Sequence, residues 1–96
     1  MVNKKRKTMY YIVVYDIASP QRLPKILKTC RKYLHWVQKS VFEGELTKTQ
    51  MLALKSEINK IISKSNDSVI FFAIRNTEVI KKESLGKKIE ERNNYI

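Results

Sequence analysis

The chain has 96 residues and carries twenty Lys and Arg against nine Asp and Glu, a formal net charge of +11. That length holds one domain rather than two, and 43% hydrophobic residues exclude a wholly disordered chain. The charge predicts an acidic partner, nucleic acid ahead of an anionic membrane surface; no apolar run approaches the ~18 residues of a membrane span, no secretory h-region follows the basic N-terminus, and the lone Cys30 excludes an internal disulfide.

Residues 1–8 form a basic arm without periodicity, read equally as a solvated tail or as a phosphate contact through Lys4 to Lys7. The first strand spans about 10–16, Tyr10-Tyr11-Ile12-Val13-Val14-Tyr15-Asp16, β-branched and aromatic almost throughout and therefore central in a sheet. It ends on Asp16, one of only two aspartates in the chain. A carboxylate there points to a metal, a phosphate reaction or a helix cap. Pro24 fits the first turn of a helix, where a missing N–H is tolerated. Leu23, Ile26, Leu27, Cys30 and Leu34 give that helix an apolar stripe, which makes Cys30 a small core residue rather than a reactive thiol. Its other face presents Arg22, Lys25, Lys28, Arg31 and Lys32 with no interspersed acid, a pattern that favours phosphate contact.

Trp36 to Glu43 reads as the second strand, ended by Gly44, in an extended region reaching residue 46. Thr47-Lys48-Thr49-Gln50 is a capping box, which predicts a second helix over 48–63 with Met51, Leu54, Ile58, Ile61 and Ile62 on one stripe. Ser65-Asn66-Asp67 breaks it, so Asp67 is a turn residue. Ser68 to Ile74 is the third strand, apolar on both faces and expected to be covered on both. Glu78-Val79-Ile80-Lys81 is a weaker strand, and 82–96 is a charged tail, an edge strand or disordered. The domain proper is thus 9–81. Two helices and about four strands predict an α+β, ferredoxin-like βαββαβ sandwich with an additional C-terminal strand. That fold leaves one sheet face bare, and an apolar bare face predicts a face-to-face homodimer.

Chemistry is sparse within one chain. There is no Gly-rich phosphate loop, no paired carboxylate motif and one histidine, His35, whose place at a strand start favours surface or packing over ligation. A two-fold dimer doubles Asp16, and two facing carboxylates could hold one Mg²⁺ or Mn²⁺ through oxygen and water. Without a metal they would repel each other. On composition alone, Asp16 bonding the following loop or capping the helix is the simpler reading.

Three segments change that balance. Tyr15-Asp16-Ile17, the stretch Val37-Gln38-Lys39-Ser40-Val41-Phe42-Glu43-Gly44 with its V-Q-x-S-V-F-E-G pattern, and Asp67-Ser68-Val69 resemble the family of CRISPR-associated protein 2, over about residues 9–80. The resemblance implies a ferredoxin-like homodimer in a bacterial or archaeal cytoplasm, with no membrane partner. It implies a metal-dependent endonuclease acting on RNA or double-stranded DNA, with Asp16 as the catalytic residue and Mg²⁺ ligand. It also places Tyr15, Arg22, Arg31 and Phe42 in segments that meet the active site or substrate. The loop Ala18-Ser19-Pro20-Gln21 departs from the family in lacking an acid and arginine run. A second role is implied as well: a scaffold bridging integrase subunits (CRISPR-associated protein 1) and holding spacer-precursor DNA, in which the basic helix face contacts phosphates and residues 78–96 pair with a partner by strand addition. An RNA-binding module on the same fold ranks below both, since Val69-Ile70-Phe71-Phe72-Ala73 lacks the basic residue and glycine of an exposed aromatic RNA-binding strand.

Overall fold

The computed structural model describes residues 7–75 and 80–86. The elements run β1 (Thr8–Asp16), α1 (Leu23–Arg31), β2 (His35–Gln38), β3 (Val41–Thr47), α2 (Lys48–Ile61) and β4 (Ser68–Ile74). The sheet order is β2-β3-β1-β4, with every neighbouring pair antiparallel. This is the ferredoxin-like βαββαβ arrangement, as the element pattern predicts. No helix is long and apolar enough to cross a membrane among the described residues.

Both helices cover one face of the sheet. Alternation along each strand sends Val13 and Tyr15 of β1, Phe42 and Leu46 of β3 and Val69 and Phe71 of β4 to that side. There they meet Ile26, Cys30 and Leu34 from the α1 segment and Met51, Leu54 and Ile58 from α2. The α2 start is the predicted capping box, with Thr47 Oγ1 accepting from the Gln50 N–H at 3.1 Å and the Gln50 side chain accepting from the Thr47 N–H at 2.9 Å. Its helix stops at Ile61 rather than 63, because Ile62 is already extended.

The predicted strand 36–43 is two strands. Gln38 pairs with Val41, which leaves Lys39 and Ser40 as a two-residue hairpin, and the register slips between Trp36 and Gln38. Gly44 does not end a strand but lies inside β3, facing the helix layer. A Cβ there would stand 3.2 Å from Leu34 Cδ2, so the glycine admits the segment that leaves α1.

The other sheet face carries Tyr10, Ile12 and Val14 of β1, Val41 of β3 and Ile70, Phe72 and Ile74 of β4, in register across the strands. Phe72 is 51% and Ile70 49% exposed in the single chain. Among the described residues of the single chain, the cover expected on both faces of the third predicted strand is present on the helix side. Lys82 forms an ion pair with Glu43 on this open face. Of the weak strand predicted over 78–81, Glu78 and Val79 lie outside the described residues, and Ile80 to Gly86 have no regular structure. The arm through residue 6 and the tail from 87 also lie outside them.

Candidate active site

Asp16 is the last residue of β1, and its Cα faces that of Ser68, the first residue of β4. Since Val13 and Tyr15 point into the core, alternation sends Asp16 to the open face, at one end of the Ile12–Val14–Ile70–Phe72 patch. It is exposed, and its carboxylate has no hydrogen-bond or ion-pair partner among the described residues.

The loop-bonding role that composition would give Asp16 belongs to other residues, and Asp16 does not cap α1, whose N-cap is Arg22 without a side-chain cap. Ser19 starts the turn into α1: its Oγ accepts from the Gln21 N–H at 3.1 Å, and its carbonyl accepts from the N–H groups of Arg22 and Leu23 at 3.2 and 3.1 Å. Asp67 holds the loop from behind. Its side chain is fully buried and takes four donors, the backbone N–H of Ala18 (2.8 Å), the backbone N–H of Ser63 (2.8 Å), Arg22 Nε (2.7 Å) and Arg22 Nη2 (3.0 Å). The bidentate guanidinium first, and the two amides after it, hold the Asp67 carboxyl well below the usual carboxylate range despite desolvation. Asp67 is thus more than a turn residue. It ties the β1–α1 loop to the α2–β4 loop immediately behind the pair Asp16 and Ser68. Nothing local in the sequence marks this, because Arg22 lies 45 residues away.

The other flank of Asp16 is the Lys39–Ser40 hairpin. The Tyr15 N–H donates to the Ser40 carbonyl at 3.1 Å, which sets the hairpin beside the end of β1. Lys39 has φ of 38°, a left-handed conformation unusual for a residue with a Cβ. Two side-chain donors converge on its carbonyl: Tyr15 O–H at 3.2 Å and Trp36 Nε1–H at 3.1 Å. Burial pushes the Tyr15 phenol up to about 12, so it stays a donor at ordinary pH.

This geometry sorts the residues expected to touch nucleic acid. Tyr15 and Phe42 do not reach a surface: they are 4% and 0% exposed, with ring centroids 6.2 Å apart, and their work is packing and holding the hairpin. Arg22 is committed to Asp67, so it positions the loop rather than presenting a free cation. Arg31 lies over the Trp36 ring, 5.8 Å from its centroid. Lys32 Nζ pairs with Glu57 at 2.5 Å, beside the Tyr33 hydroxyl, which donates to the same carboxylate at 2.6 Å. Lys25 and Lys28 remain exposed on α1 with no ion pair among the described residues. Cys30 is buried, and burial pushes its thiol up to about 12, as expected of a core residue. His35 is exposed on β2 opposite Glu43. No group of three or more His, Cys, Asp and Glu able to hold a metal exists among the described residues.

Comparison with known proteins places this geometry in a family. A family model described as CRISPR associated protein Cas2 matches residues 9–82. The chain is similar to a Dictyoglomus turgidum protein named CRISPR-associated endoribonuclease Cas2, 43% identical over 88 residues, 92% of this chain and 100% of that one. A Thermotoga maritima protein of the same name is 46% identical over 78 residues, 81% of this chain and 88% of its own. Among solved structures, a crystal structure of cas2 superposes with a TM-score of 0.78 at 32% identity, covering 93% of this chain and 99% of that one. Streptococcus pyogenes Cas2 at pH 6.5 superposes with a TM-score of 0.72 at 32% identity, covering 81% and 100%.

Proposed function

The chain belongs to the CRISPR-associated Cas2 family, and from that premise we propose that it is a metal-dependent endonuclease of CRISPR adaptation that cleaves RNA phosphodiesters with Asp16 at its centre. The relatives' name, endoribonuclease, supports RNA over duplex DNA as substrate. The observation that carries the reading is the state of Asp16: an exposed carboxylate at the end of an apolar face, with the structural work of its neighbourhood done by Asp67 and Ser19.

Among the described residues one chain offers no ligand group for a metal, and two copies would double Asp16. Packing two open faces together about an axis near the β1 ends would bury Ile12, Val14, Ile70 and Phe72 and bring two Asp16 carboxylates to one place. Mg²⁺ suits such a sparse, oxygen-only donor set, since it keeps several waters and binds through one or two carboxylates plus substrate phosphate; Mn²⁺ fits the same set. When bound, the ion would polarise the phosphodiester and acidify a water. The protein's own part is to hold the two Asp16 carboxylates. The Asp67–Arg22 clamp fixes the backbone on one side of each and the Tyr15–Lys39 contact on the other, while exposed Lys25 and Lys28 meet substrate phosphates. The reading carries with it a bacterial or archaeal cytoplasm as the setting.

The test is cleavage of labelled RNA and of duplex DNA with Mg²⁺ by wild type and Asp16→Asn, both checked for an unchanged oligomeric state. Loss of cleavage in the variant supports the reading. Equal cleavage by both proteins overturns it.

A second reading, a scaffold that bridges integrase subunits and holds spacer-precursor DNA, is favoured by Lys25 and Lys28, which can meet phosphates without any chemistry at Asp16. It predicts that spacer acquisition in cells survives Asp16→Asn but not loss of those lysines.

A further inference from the structure

Away from Asp16, a cleft of about 560 Å³ is lined by Lys7, Thr8, Met9, Tyr11, Lys48 and Arg75. A second depression, lined by Lys7, Thr47, Lys48, Thr49 and Gln50, adjoins it through the two shared lysines. Among the described residues, no acid lines either one. We propose that this cleft is a binding site for nucleic-acid backbone phosphates, separate from the Asp16 centre.

The sheet builds the site. Thr8 pairs with Thr47, so Lys7 and Lys48 extend the same register by one residue; Tyr10 pairs with Ile74, so Arg75 extends it on the other side of β1. Each of the three adjacent strands β3, β1 and β4 therefore delivers one cation to the same end of the sheet. Neighbouring strands are about 4.8 Å apart, and Arg75 lies level with Met9, two residues short of Lys7, so the three cations span about 12 Å. At an axial rise of about 3.4 Å per phosphate along one DNA strand, that span covers about three to four phosphate steps. Lys7, Lys48 and Arg75 are all exposed, and none has an ion pair among the described residues. Other cations of the chain are engaged, Arg22 by Asp67, Lys32 by Glu57 and Lys82 by Glu43, while Lys25 and Lys28 share with the cleft the lack of an ion pair among the described residues. Half-buried Tyr11 and Met9 give the floor an apolar character suited to sugar, and cations dominate its rim. The site should therefore bind backbone without sequence preference.

Its position adds to the argument. Asp16 and Thr8 are the two ends of β1, eight residue steps or about 26 Å apart. The cleft residues Lys7, Met9 and Tyr11 share the helix side of β1 with Val13 and Tyr15, whereas Asp16 is on the open face, so only a polymer that passes around the sheet reaches both and a short oligonucleotide held at Asp16 does not. The cleft would then supply affinity for long substrates and no chemistry.

The proposal rests on the chain being a nucleic-acid-binding protein, and the test separates the two. Fluorescence anisotropy of a 25-base-pair duplex of arbitrary sequence is followed in EDTA, so that cleavage plays no part, for wild type, Lys48→Gln/Arg75→Gln and the control Lys60→Gln/Lys64→Gln. Neither exchange threatens the fold, since Lys48 is the first residue of α2 and Arg75 follows β4. Two lost phosphate contacts should make the slope of log affinity on log salt shallower by about 1.8 and weaken binding at 0.1 M salt by roughly 60-fold, taking 1 M salt as reference. The control should keep the wild-type slope. A cleft variant with the slope and affinity of the control overturns the proposal while leaving the Asp16 reading intact. A wild type that binds no duplex overturns the proposal as well, and Asp16→Asn cleavage of RNA then decides the remaining reading on its own.

Discussion

Phe72 tests the two-copy site most directly, because the single chain leaves about half of it uncovered on the open face. It sits on the open face of β4, paired across the ladder with Ile12, and is 51% exposed. A Phe side chain carries roughly 200 Å² of surface, so about 100 Å² remains to be covered by a partner. At about 25 cal/mol per Å² that is about 2.5 kcal/mol per copy. A two-fold interface contains the ring twice, about 5 kcal/mol in all, of which an alanine methyl would keep about 1 kcal/mol. Phe72→Ala should then raise the dimer dissociation constant by roughly a thousandfold, at about 1.4 kcal/mol per decade. Sedimentation equilibrium over nanomolar to millimolar protein reads this directly. The fold of each chain should survive, since the exchange costs an isolated strand only about 1 kcal/mol of β propensity. Leu52→Ala is the control: Leu52 is 56% exposed but lies on α2, in the helix layer, and its loss should leave association unchanged. A Phe72→Ala dissociation constant within threefold of wild type would refute the face-to-face arrangement, and with it the shared Asp16 centre.

Three further outcomes follow from the same contacts. Asp67 is held below its usual titration range in the folded chain, so its contribution is complete above about pH 4, the unfolded value, and fades as pH falls toward the lower folded value; Asp67→Asn should lower the melting temperature at pH 7, and the gap to wild type should narrow when melting is repeated below about pH 4. Lys39→Gly relieves a left-handed lysine and should stabilise the chain by about 1 kcal/mol in urea melts, provided that Tyr15 and Trp36 keep their shared acceptor, which a backbone carbonyl at glycine preserves. Phe42→Ala should destabilise by about 3–5 kcal/mol, as expected of a fully buried ring; a variant of wild-type stability that merely lost nucleic-acid affinity would restore Phe42 as a contact residue.

Periodicity carried most of the fold. The β-branched run of β1, the apolar stripe of α1 and the capping box at Thr47 are all local patterns with direct physical causes; β1 and α2 match their predicted spans to within two residues, while α1 ends at Arg31, three residues before the last member of its stripe, Leu34. The hairpin escaped because its two loop residues are Lys39 and Ser40, with no Gly, Asn or Asp to mark the turn. What makes a lysine acceptable at φ of 38° is a pair of donors, Tyr15 O–H and Trp36 Nε1–H, of which one comes from another strand. Gly44 misled for the related reason that a strand glycine can mark an end or a close approach, and only the position of Leu34 decides between them. Arg22 belonged by spacing to a basic helix face; its partner is 45 residues on, and no helical wheel shows a partner at that distance.

On the proposed function, the two aspartates would divide the labour that one could not do. A carboxylate engaged by four protein donors has its lone pairs occupied and its charge cancelled by Arg22, so Asp67 has little left to offer a metal. A carboxylate at a strand end without such support would be free to swing, and a swinging ligand binds a metal poorly. Asp16 avoids that without giving up its lone pairs, because Asp67 immobilises the loop on one side of it and the Tyr15–Ser40–Lys39 contacts hold the hairpin on the other. The consequence is that exchanging the two side chains should not be symmetrical. Asp16→Asn should leave stability intact and remove metal-dependent cleavage, whereas Asp67→Asn should lower stability first and lose cleavage only as the loop loosens. Cleavage that followed stability alone in both variants would mean that Asp16 is one more structural acid.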